Sequence, residues 1–300
     1  MAGRQATASP SASTFAAPPP FVASAPARPS QAVVVARSHR VVVRSPRVRS
    51  ASFRLIATVA GQPAAWIASR GGATLLRFDQ HYAQLALHAG TLDPGTGPYL
   101  QGPKITGSEL RRALAAFNGG FRLNTASGGF LENGRVARPL LDRFGSIVIY
   151  RHGPADIGAW HHGVPAAGRR VSSVRQNLML LVSRGRPAFN VTSCALVCWG
   201  ATFGHVTNIA RSGLGITSAG DLVWAAGVHL SPAGLADTLI GAGAVRAVEL
   251  DINPEWVAGY LYLHRGAAQP TPAPVLPGQF GVPGRFLTPY SRDFFAVFGR

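Results

Sequence analysis

The sequence predicts an α+β fold: one strand-rich domain with a mixed sheet and a few short helices, behind a disordered N-terminal arm. Three observations predict it. Gly (35) and Pro (23) together approach a fifth of the 300 residues, too many turn formers for long helices or a coiled coil. Apolar residues make up 47%, enough for a sizeable core over most of the length. Short β-branched and aromatic runs bounded by Gly, Pro, Asn and Asp recur from residue 54 to the C-terminus, which is the strand pattern.

Charge divides the chain. There are 29 basic and 12 acidic residues, net +17, and the first acid is Asp79. Residues 1–50 are mainly Ala, Pro, Ser and Arg, with valine islands at 33–35 and 41–43. Such a stretch buries too little apolar area to offset its ordering entropy. It predicts a disordered basic arm over 1–52, either a tether to a polyanion or a solvated linker, and a folded domain over 53–300. No run of 18 apolar residues is present, so no transmembrane segment is expected. The N-terminus has no 7–15-residue apolar stretch, so no secretory signal is expected as written.

Each element of the domain has a local reason. Arg54 to Ala60 and Ala64 to Ala68 read as strands around Gly61-Gln62-Pro63; Thr74 to Phe78 and Tyr82 to His88 continue the sheet; Asp93-Pro94-Gly95 turns the chain. Ser108 to Phe117 predicts a short helix, capped by Ser108, with Leu110, Leu114 and Phe117 at helical spacing. Asn133-Gly134 predicts a type I′ hairpin turn, followed by a strand over Ser146 to Tyr150. Leu178 to Val182 reads as a buried strand, and 183–204 as loop. Ile209 to Thr217 and Leu222 to Val228 are strands. Ser231 caps a helix with Pro232 in its first turn, running to about Ile240 and stopped by Gly241 to Gly243. With Val245 to Ile252 as the next strand, 222–252 forms a βαβ unit. Residues 266–284 read as Pro/Gly-rich loop, and Phe294 to Phe298 as the closing strand.

Carboxylates inside apolar strands stand out because the chain has so few. In Val245 to Ile252, Glu249 and Asp251 alternate onto one face, with Val248, Leu250 and Ile252 on the other. Their α-carbons lie roughly 6.5–7 Å apart along a strand. Such a pair can divide acid and base roles, since mutual repulsion separates the two pKa values. Asn253 and Glu255 follow, so three oxygen-bearing side chains meet a strand end that could hold a sugar or a hard cation. Asn118-Gly119-Gly120 is either a helix C-cap or a turn where backbone approaches a ligand. Arg211 and Arg175, the latter in Arg175-Gln176-Asn177, each precede or open a strand and could grip a phosphate. Cys194 and Cys198 close a five-residue ring if oxidised and are otherwise two buried thiols. No metal-ligand set, Walker loop, nucleophile elbow or dinucleotide fingerprint is present.

The order of Ala116-Phe117-Asn118-Gly119-Gly120-Phe121, Gly129, Asn133-Gly134, Ala210-Arg211-Ser212-Gly213-Leu214-Gly215, Leu235-Ala236 and Val248-Glu249-Leu250-Asp251 resembles the phosphodiester glycosidase family. That family includes an enzyme that removes N-acetylglucosamine from a phosphodiester. The resemblance covers about 53–300. It implies that Asn118 and Gly119 match the family's Asn-Gly-Gly turn, Arg211 its Pro-Arg-Thr arginine and Asp251 the aspartate of its Asn-Leu-Asp-Gly-Gly-Gly motif. Here Ala210 and Ser212 replace Pro and Thr, Glu249 replaces Asn, and Ile252-Asn253-Pro254 replace the glycines, as in a divergent bacterial branch.

The expected activity is therefore hydrolysis of a sugar-1-phosphodiester at the C1–O bond. Asp251 and Glu249 are expected to be the acid/base or nucleophile pair and Arg211 the phosphate clamp. Asn118, Gly119, Gly120, Asn253, Arg175 and Asn177 are expected to bind substrate. No cofactor is expected; a divalent cation near Asn253 and Glu255 stays open. The alternative is a non-catalytic module for an anionic wall or capsule polymer, to which the positive charge also points. Specific nucleic-acid binding is not expected, because aromatics do not interleave with the arginines. The resemblance implies an extracellular or cell-envelope location, where phosphodiester glycans lie.

Overall fold

The computed structural model describes residues 51–264 and 269–300; the arm expected over 1–52, valine islands included, lies outside them up to residue 50. The described chain is a strand-rich α+β domain built from three sheets. An antiparallel eight-stranded sheet runs in the order Arg54–Val59, Gln62–Arg70, Ala73–Phe78, Leu222–Leu230, Ile209–Thr217, Ala244–Ile252, Leu180–Ser183 and Arg186–Pro187. An antiparallel five-stranded sheet runs Thr271–Pro274, Gly259–Leu263, Ala113–Asn118, Phe294–Gly299, Ala83–His88. A six-stranded mixed sheet takes Gly163–Val164, Asp156–Trp160, Gly145–Tyr150, Val171–Gln176, Phe130–Glu132 and Arg135–Arg138; only its first pair is parallel.

Burial follows the two-residue period. In Phe294–Gly299, Phe295 and Val297 join the core shared by all three sheets, while Phe294, Ala296 and Phe298 pack outward with Tyr260 and Phe286. A strand covered on both faces has no polar side to keep, hence its continuous apolar sequence. The eight-stranded sheet is likewise covered twice. Leu76, Leu214, Trp224 and Val248 meet the other two sheets, and Leu75, Val223, Ala225 and Ala247 meet the Pro232–Gly241 helix. Ser231 caps that helix, its hydroxyl accepting from the Gly234 amide at 3.0 Å. The strands on either side of the helix both run antiparallel to Ile209–Thr217, which lies between them. The predicted βαβ unit is thus a split one.

Several expected elements differ. The helix over Ser108 to Phe117 shrinks to Glu109–Arg112, and Ala113–Asn118 is a strand in the middle of the five-stranded sheet. Strand neighbours on both sides override the helical spacing of Leu114 and Phe117. Asn118-Gly119-Gly120 consequently follows a strand rather than capping a helix, and none of the three has positive φ. The first hairpin turns at Ala60-Gly61 (φ 48° and 77°), leaving Gln62-Pro63 inside a strand. Arg175 and Gln176 end a strand instead of preceding one. Thr271–Pro274, expected as loop, pairs with Gly259–Leu263. Asn133-Gly134 does turn with both φ positive (48° and 79°), as type I′ requires.

Candidate active site

The end of the Ala244–Ile252 strand opens into a cleft of two lobes that share Arg122, Trp256 and Arg292. A lobe of about 290 Å³ carries Asp93, Asn124 and Arg138; one of about 390 Å³ carries Asp251, Asn253, Phe121, Leu178, Val197 and Ile252. Arg292 is the partition. Its Nη2 donates to Asp251 Oδ2 at 2.8 Å and to the Gly120 carbonyl at 3.1 Å, and its Nε lies 3.4 Å from Asp93 Oδ2. Its guanidinium carbon stands 4.7 Å from the Trp256 ring centroid, with Arg122 at 5.8 Å from the same ring. Such stacking holds cations on a flat aromatic surface.

Asp251 is a buried carboxylate with a narrow opening, its side chain 10% exposed. Burial pushes its pKa up to about 7, against the pull of Arg292 and of the Ile252 amide that donates to it at 2.9 Å. Asp93 is also raised, first by burial and then by nearby Asp293; the Leu123 amide donates to it at 3.1 Å. Asn253 has φ 75°, and its buried Oδ1 has no partner among the described residues.

Beneath the cleft lies a fully buried layer that fixes these groups. Arg175 and Asp293, both with side chains 0% exposed, pair through two contacts at 2.8 and 3.1 Å. Gly119 and Gly120 pass directly over this pair. A Cβ on Gly119 would lie 2.0 Å from Asp293 Oδ2, and one on Gly120 2.8 Å from Arg175 Cζ. These glycines answer a close approach, not a left-handed turn. Arg211 pairs with Glu249 at 2.8 Å, both side chains 0% exposed, and donates also to the Leu230 and Trp199 carbonyls at 3.1 and 2.7 Å. Burial pushes Glu249 up to about 7 despite Arg211, and its Oε2 has no partner among the described residues. Asn177 links the layers: its Nδ2 donates to the Glu249 carbonyl at 2.7 Å and its Oδ1 accepts from the Phe121 amide at 3.0 Å. Asn118 Nδ2 donates to Ser212 Oγ at 2.9 Å, and its Oδ1 accepts from the Ala258 amide at 3.3 Å.

The structure thus gathers all the sequence-predicted residues in one region but at two depths. Asp251 and Asn253 line the cleft. Glu249, Arg211, Arg175, Asn177, Asn118, Gly119 and Gly120 do not; they form the layer behind it. Arg211 and Arg175, expected to grip phosphate, have their guanidinium groups engaged by Glu249, Asp293 and backbone carbonyls. The Gly119 and Gly120 amides, expected to face a ligand, donate to the Asp293 carbonyl and carboxylate. Glu249 is separated from solvent, so the carboxylate that shares the cleft with Asp251 is Asp93. Glu255 is exposed, and among the described residues no group of three or more His, Cys, Asp or Glu could hold a metal ion. Asp93, Arg122, Arg138, Trp256 and Arg292 escaped sequence reasoning. The one local signal was Arg292-Asp293, a charged pair set against an otherwise apolar closing strand. Cys194 and Cys198 form a disulfide around the short Ala195–Cys198 helix. No helix among the described residues is long and apolar enough to cross a membrane.

No protein-family profile matches the chain, and no curated protein matches it by sequence. Among solved structures, it is similar to the catalytic domain of zebrafish N-acetylglucosamine-1-phosphodiester alpha-N-acetylglucosaminidase, auto-inhibited by its pro-peptide. The TM-score is 0.48 at 12% identity, covering 84% of this chain and 88% of that one. A hypothetical protein from Synechocystis gives 0.48 at 15% identity, over 83% of this chain and 61% of that one. A Burkholderia pseudomallei protein described as exported gives 0.43 at 11% identity, over 80% and 75%.

Proposed function

We propose that the chain hydrolyses a sugar-1-phosphodiester at the C1–O bond, with Asp251 as the acid. The observation that carries this reading is the placement of Asp251: a carboxyl with a pKa near 7, facing a cleft, beside two arginines and an aromatic surface. Near neutral pH a good fraction of it holds a proton, the state a general acid needs. Arg122, exposed, and Arg292, at the partition, supply forked donors for the non-reacting phosphate oxygens.

Asp93 serves as the second carboxylate. One guanidinium touches both acids, which keeps them within the roughly 9.5 Å upper limit of carboxyl separations in glycoside hydrolysis. In the reaction, water attacks C1 and gives its proton to Asp93 while the C1–O bond breaks. The Asp251 proton goes to the departing oxygen. The products are a free sugar and a phosphate monoester. Glu249, Arg211, Arg175 and Asp293 hold the strand end that presents Asp251. The disulfide fits a location outside the cytosol, where such bonds persist.

The test is incubation of the protein with N-acetylglucosamine-1-phosphoryl methyl ester and related sugar esters. Free sugar and methyl phosphate in equal amounts, lost in Asp251→Asn, support the reading. Salt-sensitive binding of an anionic glycan with no sugar released would make the chain a binding module instead.

A further inference from the structure

The two lobes differ in chemistry. The one beside Asp93 is polar and charged, with Asn124, Arg122 and Arg138. The one beside Asp251 carries Thr125, Ser127 and Asn253 and, beside them, an apolar wall of Phe121, Leu178, Val197 and Ile252. Val197 is 91% exposed, yet its segment is anchored on both sides. Val191 and Trp199 are buried in the core under the Pro232–Gly241 helix, and Arg211 Nη1 donates to the Trp199 carbonyl at 2.7 Å. At Gly200 a Cβ would come within 2.7 Å of Ile252 and 2.8 Å of Phe121, so the segment lies directly on the lobe wall. The Cys194–Cys198 disulfide closes the turn that bears Val197. An apolar side chain is thereby held against the apolar wall of the lobe.

We infer that this lobe takes the alcohol that stays esterified to the phosphate, that this alcohol is an apolar chain, and that Val197, positioned by the disulfide, selects for it. The inference rests on the reading that a sugar-1-phosphodiester is hydrolysed here. With phosphate at Arg292 and sugar on the Asp93 side, the ester's other substituent extends from the phosphate toward Phe121, Ile252 and Val197. The charged groups of this lobe, Arg122, Asp251 and Arg292, are those assigned to the phosphate and the reacting bond, and beside the neutral polar Thr125, Ser127 and Asn253 the wall of Phe121, Leu178, Ile252 and Val197 is the surface an alkyl chain would follow. Burying a methylene in such a lobe strengthens binding by roughly two- to fourfold.

The test uses the full chain and two probe series: methyl and octyl phosphate for binding by calorimetry, and the methyl and octyl esters of a sugar 1-phosphate for turnover. The account expects octyl phosphate to bind at least about tenfold more tightly than methyl phosphate and the octyl ester to show a correspondingly lower KM. Val197→Asp and the double variant Cys194→Ser/Cys198→Ser reduce that octyl-to-methyl ratio to below about threefold, and Val197→Leu preserves it. Equal binding of the two phosphates, or a ratio untouched by Val197→Asp, overturns the inference while hydrolysis of the methyl ester leaves the reaction standing. Chain-length-dependent binding without hydrolysis of any ester overturns the reaction and keeps the lobe as an alkyl phosphate site. Absence of both binding and hydrolysis overturns both.

Discussion

Arg292 donates to Asp251 at 2.8 Å, and the two side chains are only 7% and 10% exposed. This is a nearly buried ion pair at the mouth of a cleft, the arrangement in which one charge strongly controls the protonation of the other. The Asp251 carboxyl is raised to about 7 by burial, with Arg292 the largest opposing influence.

The pH dependence of turnover follows. Asp251 must be protonated to act as the acid, so kcat/KM falls as pH rises through about 7. In Arg292→Met the opposing cation is gone, the acid is held more strongly, and this limb moves to higher pH while KM rises. A profile by initial rates from pH 5 to 9 checks both; a limb that stays put in Arg292→Met removes the ion pair from the account.

Glu249 and Asp251 separate by depth. Asp251→Asn leaves the fold intact and stops turnover. Glu249→Gln keeps an acceptor for Arg211 and retains measurable turnover, because Glu249 lines neither lobe. Glu249→Ala strands the Arg211 charge in the core and destabilises by roughly 3–5 kcal/mol. Denaturant unfolding of the two variants beside an activity assay distinguishes these outcomes.

Stability also carries the signature of Glu249. Its native pKa near 7 exceeds its ordinary 4.5, so the native state holds the extra proton between those values. That contribution is complete below about pH 4.5 and is lost as pH rises through 7. The stability of the native sequence relative to Glu249→Gln therefore falls across this window, by about 1 kcal/mol per pH unit at its steepest. A difference that grows with pH would contradict the burial of this carboxyl.

Gly119→Ala tests the close approach over the buried ion pair. The new Cβ meets Asp293 Oδ2 at 2.0 Å, which forces Arg175–Asp293 apart and costs on the order of 3 kcal/mol or more. Gly134→Ala meets nothing within 4 Å but sits at φ 79°, so it pays only the smaller left-handed strain, about 1 kcal/mol. Thermal unfolding ranks the two.

Much of this was legible in the sequence, for reasons that particular residues make plain. Ile209–Thr217, Leu222–Leu230 and the Ser231-capped helix signal themselves through period, cap and stop residues. Ala113–Asn118 does not, because a short Ala-rich stretch between Ser and Asn satisfies helical spacing equally well until both neighbouring strands are known. The site divides in the same way. Asp251 is visible as an acid in an apolar strand. Asp93 and Arg292 are 199 positions apart and meet only through the fold, and Arg292 is one of 28 arginines. Arg175 and Arg211 look like ligand groups in the sequence because their partners, Asp293 and Glu249, lie 118 and 38 positions away. Depth, which separates a residue touching a ligand from one holding it, has no local sequence signature.

The central claim is that the bond broken is C1–O. Hydrolysis of the sugar ester in ¹⁸O-labelled water, with mass analysis of both products, tests it most directly. The account predicts one labelled oxygen in the released sugar and none in the phosphate monoester. Label in the phosphate would mean cleavage at P–O, and would contradict the role assigned to Asp251.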